Sequence, residues 1–257
     1  YCGKNILLDI GLEDFDSESY AKLNLFKFFP QQDSFDHKYS RGSCLIIAGE
    51  HLVGAAKLAC LSASESILRA GAGVCKILVH SSQKLFFKSH IMEEMILTYK
   101  NEEDLKTIIK EQKYDSLVYG CGINNNLENK NILKFLLQQP KDLVLDAVVF
   151  TMIKENRDEF IQLLQSRTAQ TVMTPHVGEF KRVFSLTNSK INDCLNAARE
   201  SNSVIVFKGN DTVIGSNDGA AYLNAYTSPY LATAGSGDVL AGLIASFLSQ
   251  GLGALKA

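Results

Sequence analysis

Short apolar segments alternate with helix-forming segments, and this alternation most constrains the fold of the chain. Ser43–Gly49 is apolar and ends in glycine, and Gly54–Ala70 is rich in Ala and Leu at helical spacing. Val74–Val79 is the next apolar segment and completes a β-α-β unit. Strands that alternate with helices form a mostly parallel sheet covered on both faces. The sequence therefore predicts an α/β fold with a mostly parallel central sheet and helices on both faces.

The same alternation continues to the end of the chain. Further apolar segments predict strands at 116–119, 143–145, 171–173 and 203–207. The segments between them predict helices at 105–113, 132–138, 160–164, 178–184 and 192–201. Two last strands, at 212–214 and 221–223, flank Asn217-Asp218-Gly219, a sequence typical of a hairpin turn. Because no repeat or linker interrupts this pattern, residues 21–257 are predicted to form one domain.

Charge and cysteine usage narrow the classes of partner. The formal net charge is −2 with no basic run, which predicts that nucleic acid is not a partner. No apolar run reaches the length of a membrane span, so no membrane partner is predicted. The six cysteines include no Cys-x-x-Cys pair and mostly lie in apolar surroundings, which is typical of a reduced, cytoplasmic chain.

The segment Thr227–Gly251 predicts an anion site. Gly235–Asp238 precedes a run of apolar residues at helical spacing, so free backbone N–H groups and the positive end of a helix dipole coincide there. Phosphate is the usual anion at such a helix start. The carboxylate of Asp238 would repel phosphate, which suggests that it takes a proton from an attacking hydroxyl or holds a metal. The alternative is that Asp238 only caps the helix.

Glycine or polar residues follow the predicted strands, and the carboxyl ends of parallel strands meet at one edge of a sheet. These residues are Gly49, Gly122, Asp146, His176 and Lys208. We expect them to line one cleft. A simple turn explains Gly49, whereas a turn needs neither the imidazole of His176 nor the ammonium of Lys208.

Four segments resemble the NAD(P)H-hydrate dehydratase family of the ribokinase-like superfold, over about residues 36–251. They are His37-Lys38 with Gly42, Thr174–Glu179, Lys208–Thr212 and Ala232–Gly242. The last segment is shared with small-molecule kinases of the superfold. Thr174–Glu179 together with Lys208–Thr212 indicates the dehydratase.

The resemblance implies a ribokinase-like fold and a repair reaction on hydrated NADH or NADPH. A nucleotide phosphorylates the ring hydroxyl, phosphate leaves, and the double bond returns. ADP is the implied co-substrate, Mg²⁺ the implied metal and a homotetramer the implied assembly. Two alternatives stay open at this point, namely a kinase of a small molecule such as a vitamin precursor, and a nucleotide-sensing module without catalysis.

The resemblance also implies a role for each matching residue. Asp238 corresponds to the base and contacts the substrate, and the N–H groups of the anion site belong to Gly235, Ser236 and Gly237. Gly237 also belongs to the nucleotide site, whose other members are Lys208, Gly209, Asn210, Asp211 and Thr212. The hydrated nicotinamide would contact Ala55, Gly122 and His176. Glu179 is a candidate metal-organising residue, although a carboxylate in the first helical turn is favourable by itself.

Several positions depart from the family's pattern. Val148 stands in place of a second acid after Asp146, and Cys121 replaces a proline between two glycines. Ser236 replaces threonine and keeps a hydroxyl. Residues 1–20 resemble the tail of the epimerase domain that precedes the dehydratase in bifunctional bacterial versions, which favours ADP over ATP. By comparison with the family, the domain is also predicted to be truncated at its C-terminus.

Overall fold

The computed structural model describes residues 21–24, 30, 33–49, 53–89, 95–224 and 228–257. For residues 53–56, 58, 59 and 62 it describes the backbone only. The expectation that residues 1–20 belong to a preceding domain lies outside the described residues.

One ten-stranded sheet organises the described chain, in the order β1-β10-β9-β8-β7-β6-β5-β2-β3-β4. The strands are β1 Lys22–Asn24, β2 Ser43–Ile47, β3 Val74–His80, β4 Met95–Tyr99, β5 Ser116–Tyr119, β6 Asp142–Leu145, β7 Thr171–Met173, β8 Val204–Phe207, β9 Val213–Gly215 and β10 Ala221–Asn224. Only β9 is antiparallel to its neighbours among these strands. The prediction of a mostly parallel sheet is confirmed, and so is the β9–β10 hairpin.

Nine helices connect and cover the described strands. They are α1 Val53–Arg69, α2 Lys84–Lys88, α3 Glu102–Glu111, α4 Leu127–Leu137, α5 Val149–Glu155, α6 Arg157–Gln165, α7 Val177–Val183, α8 Lys190–Ser201 and α9 Ser236–Ser249. Within the described part of the chain, no helix combines the length and the apolar character that crossing a bilayer requires.

Each central strand contributes to two hydrophobic cores because successive side chains point to opposite faces. In β6, Leu143 and Leu145 pack with α3 to α8, whereas Val144 packs with α1, α2 and α9 on the other face. Both faces of the sheet are thus buried, which explains why the strand sequences are near-continuously apolar rather than alternating.

Helix α9 is held at close range by both α1 and the sheet. A Cβ atom at Gly242 would stand 2.5 Å from the carbonyl oxygen of Ala63 in α1. On the sheet side, the buried hydroxyl of Ser116 donates to the carbonyl of Ala245 at 2.7 Å. The hydroxyl of Ser246 donates to the carbonyl of Ile67 at 2.9 Å. These contacts fix where the first turn of α9 lies.

Four elements were not predicted from the sequence. Strands β1 and β4 lie at the two edges of the sheet, where half-exposed residues weaken the apolar signal. Helices α2 and α5 have five and seven residues, too few for helical periodicity to be recognised.

We predict that Gly242→Ala lowers the free energy of unfolding by about 1–3 kcal/mol, the usual cost of overpacking a tight contact. Alanine would otherwise stabilise a helix interior by up to about 1 kcal/mol relative to glycine. Chemical denaturation of both proteins measures the difference.

Gly253→Ala is the matched control, because a Cβ atom there would meet its nearest neighbour at an ordinary 3.7 Å. A Gly242→Ala variant as stable as the wild type would show that α1 and α9 separate at little cost.

Candidate functional site

The candidate site lies at the carboxyl ends of the central strands. The chain runs outward from β2 to β4 and then returns to place β5 beside β2, which is the kind of switch point where α/β sheets bind ligands. The loops after these two strands touch, since a Cβ atom at Gly49 would stand 1.8 Å from the carbonyl oxygen of Gly122. Close approach of two backbones, rather than a simple turn, therefore requires glycine at 49.

An ion pair joins the ends of β6 and β8 across this edge. The ammonium of Lys208 lies 3.0 Å from Oδ1 of Asp146, whose residue is only 4 % exposed. Ala147 follows with a φ of 52°, a conformation that side chains other than glycine rarely adopt. Non-glycine residues held in this way cluster at functional sites.

Helix α9 directs its first turn at this ion pair. Gly235 is the N-cap and Ser236 begins the helix, so Gly237 and Asp238 lie in the turn whose N–H groups have no intrahelical acceptor. A Cβ atom at Gly237 would stand 3.4 Å from the ammonium of Lys208. The hydroxyl of Ser236 donates to the carbonyl of Thr233 at 2.9 Å, so it is engaged within the turn.

Asp238 does not act as the helix cap. It is the third helical residue, and the N-cap position belongs to Gly235. Its carboxylate instead lies with the thiol of Cys121 and the carboxylate of Asp146, with one oxygen or sulfur atom of each within 4.8 Å of the others. The capping alternative for Asp238 is therefore wrong, since its side chain makes no capping hydrogen bond and lies against Cys121 and Asp146 instead.

Burial and charge shape the protonation of this cluster. Burial raises the pKa of Asp238, the nearby Asp146 carboxylate raises it further, and the Cys121 thiol and the Lys208 ammonium oppose the rise. Burial also raises the pKa of Cys121 well above its usual range, with the charges of Asp146 and Asp238 acting in the same direction. Cys121 is consequently a thiol, and it donates to Oδ2 of Asp146 at 3.9 Å.

His176 caps helix α7 and shares a reciprocal capping box with Glu179. Its Nδ1 accepts from the N–H of Gly178 at 2.9 Å, and Glu179 accepts from the backbone N–H of His176 at 2.9 Å. The imidazole is 54 % exposed at the mouth of the cleft. Capping thus accounts for the histidine locally, and its contact with the nicotinamide stays a prediction.

The acidic groups of the cleft fit Mg²⁺ better than a softer metal. Carboxylate oxygens are the ligands that Mg²⁺ prefers, and those of Asp146 and Asp238 lie within 4.8 Å of each other. Burial raises the pKa of Glu179, and the charge of Asp146 adds to that rise, whereas the N–H of His176 and the ammonium of Lys208 oppose it. The protonated thiol of Cys121 is a poor Mg²⁺ ligand.

The segment Lys208–Thr212 forms a closed turn beside this cluster. The hydroxyl of Thr212 accepts from the N–H of Gly209 at 3.1 Å and donates to its carbonyl at 2.8 Å. A cavity of about 490 Å³ borders the turn, within the usual size range of small-ligand sites. Its other walls come from Val177 and from the residues that precede and begin α8.

A larger cavity, of about 980 Å³, lies at the opposite edge of the sheet. It is lined by the first residues of β7 and β8 and by the C-terminal residues 253–257. Because the carboxylates, Lys208 and the first turn of α9 all lie at the carboxyl edge, we assign the chemistry to that edge. Lys208, which pairs with Asp146, also lines the smaller cavity and so joins that cavity to the carboxylate cluster.

The structure brings four of the residues that the sequence singled out into one cluster. Asp146, Lys208, Gly237 and Asp238 converge directly. Ala55 lies in α1, but its side chain is among those not described. In the sequence, Cys121 is notable only as a replacement for proline, although its place between two glycines after a strand is also typical of a cleft residue.

The raised pKa of Asp238 predicts a pH dependence of stability. A carboxyl whose pKa is higher in the folded state than in the unfolded state loses stabilisation as pH rises, because the unfolded chain releases its proton first. We therefore expect Asp238→Asn to be as stable as the wild type at pH 4 and more stable at pH 7. Thermal unfolding across this range measures the change, and Asp158→Asn, at a position whose side chain is 96 % exposed, is the control. An equal decline in the wild type and in Asp238→Asn would contradict the assignment.

Comparison with known proteins gives a family match over residues 44–257, to a family described as NAD(P)H-hydrate dehydratase. A bifunctional NAD(P)H-hydrate repair enzyme of Gloeobacter violaceus is 35 % identical over 224 residues, covering 83 % of this chain and 42 % of the relative. An ADP-dependent (S)-NAD(P)H-hydrate dehydratase of Listeria monocytogenes is 26 % identical, covering 87 % of this chain and 77 % of the relative. The chain spans about half the length of the bifunctional relatives that it matches.

Solved structures agree with this match. An ADP/ATP-dependent NAD(P)H-hydrate dehydratase of Bacillus subtilis, co-crystallised with ATP and Mg²⁺, aligns with a TM-score of 0.66 and 26 % identity, covering 86 % of this chain and 77 % of that one. A ribokinase-like superfamily protein of Enterococcus faecalis aligns with a TM-score of 0.74 and 24 % identity, covering 93 % and 83 %, and supports the fold alone. With a family match over most of its length and a ribokinase-like architecture, the chain belongs to the NAD(P)H-hydrate dehydratase family.

Proposed function

We propose that this chain dehydrates hydrated NADH or NADPH, with ADP as the co-substrate. The observation that carries the proposal is the position of the Asp238 carboxylate, in the first turn of α9 and beside Asp146 and Cys121, where it does not cap the helix. The similar Listeria protein is named as ADP-dependent and the similar Bacillus protein as ADP/ATP-dependent, and both names support ADP as the nucleotide.

The chemistry needs a base and an anion site at one place. Asp238 takes the proton of the ring hydroxyl, and the hydroxyl oxygen attacks the β-phosphoryl group of ADP, whose bond to AMP breaks. N–H groups of the first turn, from Gly235 to Gly237, stabilise the charge on the transferred phosphoryl. The lone pair of the ring nitrogen then expels phosphate, and loss of a proton from the adjacent carbon restores the double bond.

Lys208 is suited to the nucleotide rather than to the nicotinamide. Its ammonium lies at the anion turn and is held by Asp146, and the Lys208–Thr212 turn borders the 490 Å³ cavity. Mg²⁺, when bound, would neutralise charge on the nucleotide phosphates, and Asp146 with Glu179 or Asp238 would hold it. Gly122 and the imidazole of His176 would face the hydrated nicotinamide from the same edge of the sheet.

Supplying ADP together with hydrated NADPH, and following the absorbance of the reduced nicotinamide, tests the proposal. We expect NADPH to reappear with stoichiometric AMP and phosphate. Formation of a stable phosphorylated vitamin precursor from ATP, without NADPH, would instead indicate a kinase. ADP binding with no turnover of either substrate would indicate a nucleotide-sensing module.

We predict that Asp238→Asn retains ADP binding and lowers turnover by roughly 10²–10⁴-fold, the usual loss on removing a positioned base. Asparagine keeps the shape of the side chain but cannot accept the proton. Steady-state kinetics with hydrated NADPH measure the loss, and Asp158→Asn is again the control. Turnover of Asp238→Asn close to the wild-type rate would place the base elsewhere.

We also propose a homotetramer in the cytoplasm. The family resemblance supports the assembly, and the buried free thiols of Cys44, Cys60, Cys121 and Cys194 agree with a reducing compartment. Sedimentation at micromolar concentration tests the assembly, and fractionation of cells that express the tagged chain tests the location. A monomer, or recovery outside the cytoplasm, would remove the respective claim.

A further inference from the structure

The proposed nucleotide cleft carries a negative charge on each wall. Asp211 lies in the Lys208–Thr212 turn, and Asp193 lies in α8 on the opposite wall. The carboxylate of Asp193 is buried and accepts from both the N–H and the hydroxyl of Thr187, at 2.8 and 2.7 Å. The Asp211 side chain, by contrast, is 66 % exposed. A nucleoside diphosphate entering this cleft would meet the Asp211 carboxylate, and like charges repel.

Lys190 compensates that charge from across the cleft. Its ammonium lies 2.6 Å from Oδ1 of Asp211 and 3.0 Å from the carbonyl oxygen of the same residue. It also stands 4.7 Å above the ring of Phe207, in a position where a Cβ atom at Gly209 would come within 2.6 Å of it. Lys190 was not among the residues that the sequence singled out.

Most hydrogen bonds of the turn do not involve Lys190, whose ammonium donates only to the carbonyl of Asp211 among the backbone groups of the turn. The N–H of Lys208 donates to the carbonyl of Pro175 at 2.8 Å, which anchors the start of the turn to the end of β7. The hydroxyl of Thr212 closes the turn by two hydrogen bonds with Gly209. The other cation of the cleft, Lys208, is already paired with Asp146. The ammonium of Lys190 therefore adds a positive charge and one hydrogen bond to a turn that three other hydrogen bonds also hold.

We propose that Lys190 is a positioning residue for the nucleotide, which neutralises and restrains Asp211 so that a polyanionic nucleoside diphosphate can occupy the cleft. The inference rests on the proposed function, because it takes the cleft beside Lys208–Thr212 to hold ADP. If the inference is correct, Lys190 favours the binding of the charged nucleotide and has little effect on the binding of the uncharged nucleoside.

Calorimetric titration of the full chain with ADP and with adenosine tests the proposal. At low ionic strength, Lys190→Met should weaken ADP binding about tenfold, and the loss should shrink in high salt because the charges are partly exposed. Adenosine binding should stay within about twofold of the wild type, since it carries no charge to repel. The variant Lys190→Met/Asp211→Asn should recover ADP affinity to within about threefold, because both charges are then absent.

Two control variants distinguish the effect of losing the charge of Lys190 from an effect on folding. Lys84→Met removes an exposed lysine from α2, on the other face of the sheet, and should leave ADP binding unchanged. Lys190→Arg keeps the charge and should bind ADP as the wild type does. Equal losses for ADP and adenosine in Lys190→Met, or no recovery in the double variant, would overturn the proposal, since Lys190 would then brace the turn or contact the nucleotide itself.

Asp211→Asn tests the proposal independently of whether Lys190→Met folds. The resemblance places Asp211 in the nucleotide-binding segment, but its carboxylate is 66 % exposed and pairs with Lys190, so the inference gives it no direct contact with the nucleotide. We therefore expect Asp211→Asn to bind ADP at least as tightly as the wild type, because it removes the repelling charge. A marked loss of ADP affinity would overturn the inference by making Asp211 a ligand. Wild-type protein that binds no ADP at all would instead remove the proposed function, so the two failures are distinguishable.

Discussion

The close packing of α9 between α1 and the sheet is the constraint on which the site depends. Gly242 lets α9 approach Ala63, and the Ser116 hydroxyl holds the Ala245 carbonyl from the other side. A helix fixed at these points in its middle can only present its first turn at one place. That place is the carboxyl edge of β6 and β8, where Asp146 and Lys208 meet.

The site that results is rich in buried negative charge. Asp146, Asp238 and Glu179 share one neighbourhood with a single close ammonium, that of Lys208, among the described residues. Burial raises the pKa of both Asp238 and Glu179, because a buried carboxylate loses the water that stabilises its charge. Such an arrangement suits a site that binds a nucleotide together with a cation, because the cation restores neutrality and the anion turn receives the phosphate.

Two Lys–Asp ion pairs lie along the cleft, and we expect them to have different roles. Lys208 pairs with buried Asp146 at the anion turn, whereas Lys190 pairs with exposed Asp211 at the outer wall. In the proposed reaction, the first pair lies where the phosphoryl group would be transferred, and the second lies where the nucleotide would enter. Because burial strengthens electrostatic interactions, we expect the inner pair to matter more for chemistry and the outer pair for binding.

The sequence by itself determined the fold class, the order of most elements and the residues at the strand ends. Apolar runs, helical spacing and glycines are local signals, and they predicted the parallel sheet, the hairpin and the anion turn before α9. Edge strands β1 and β4 were not predicted, because their half-exposed residues weaken the apolar pattern that indicates a strand. Only the tertiary structure decided that Asp238 is no cap, that Gly49 is required by the backbone of Gly122, and that Lys190 reaches Asp211. Those facts depend on distances between segments far apart in the chain, which the packing of helices on the sheet sets and no local pattern encodes.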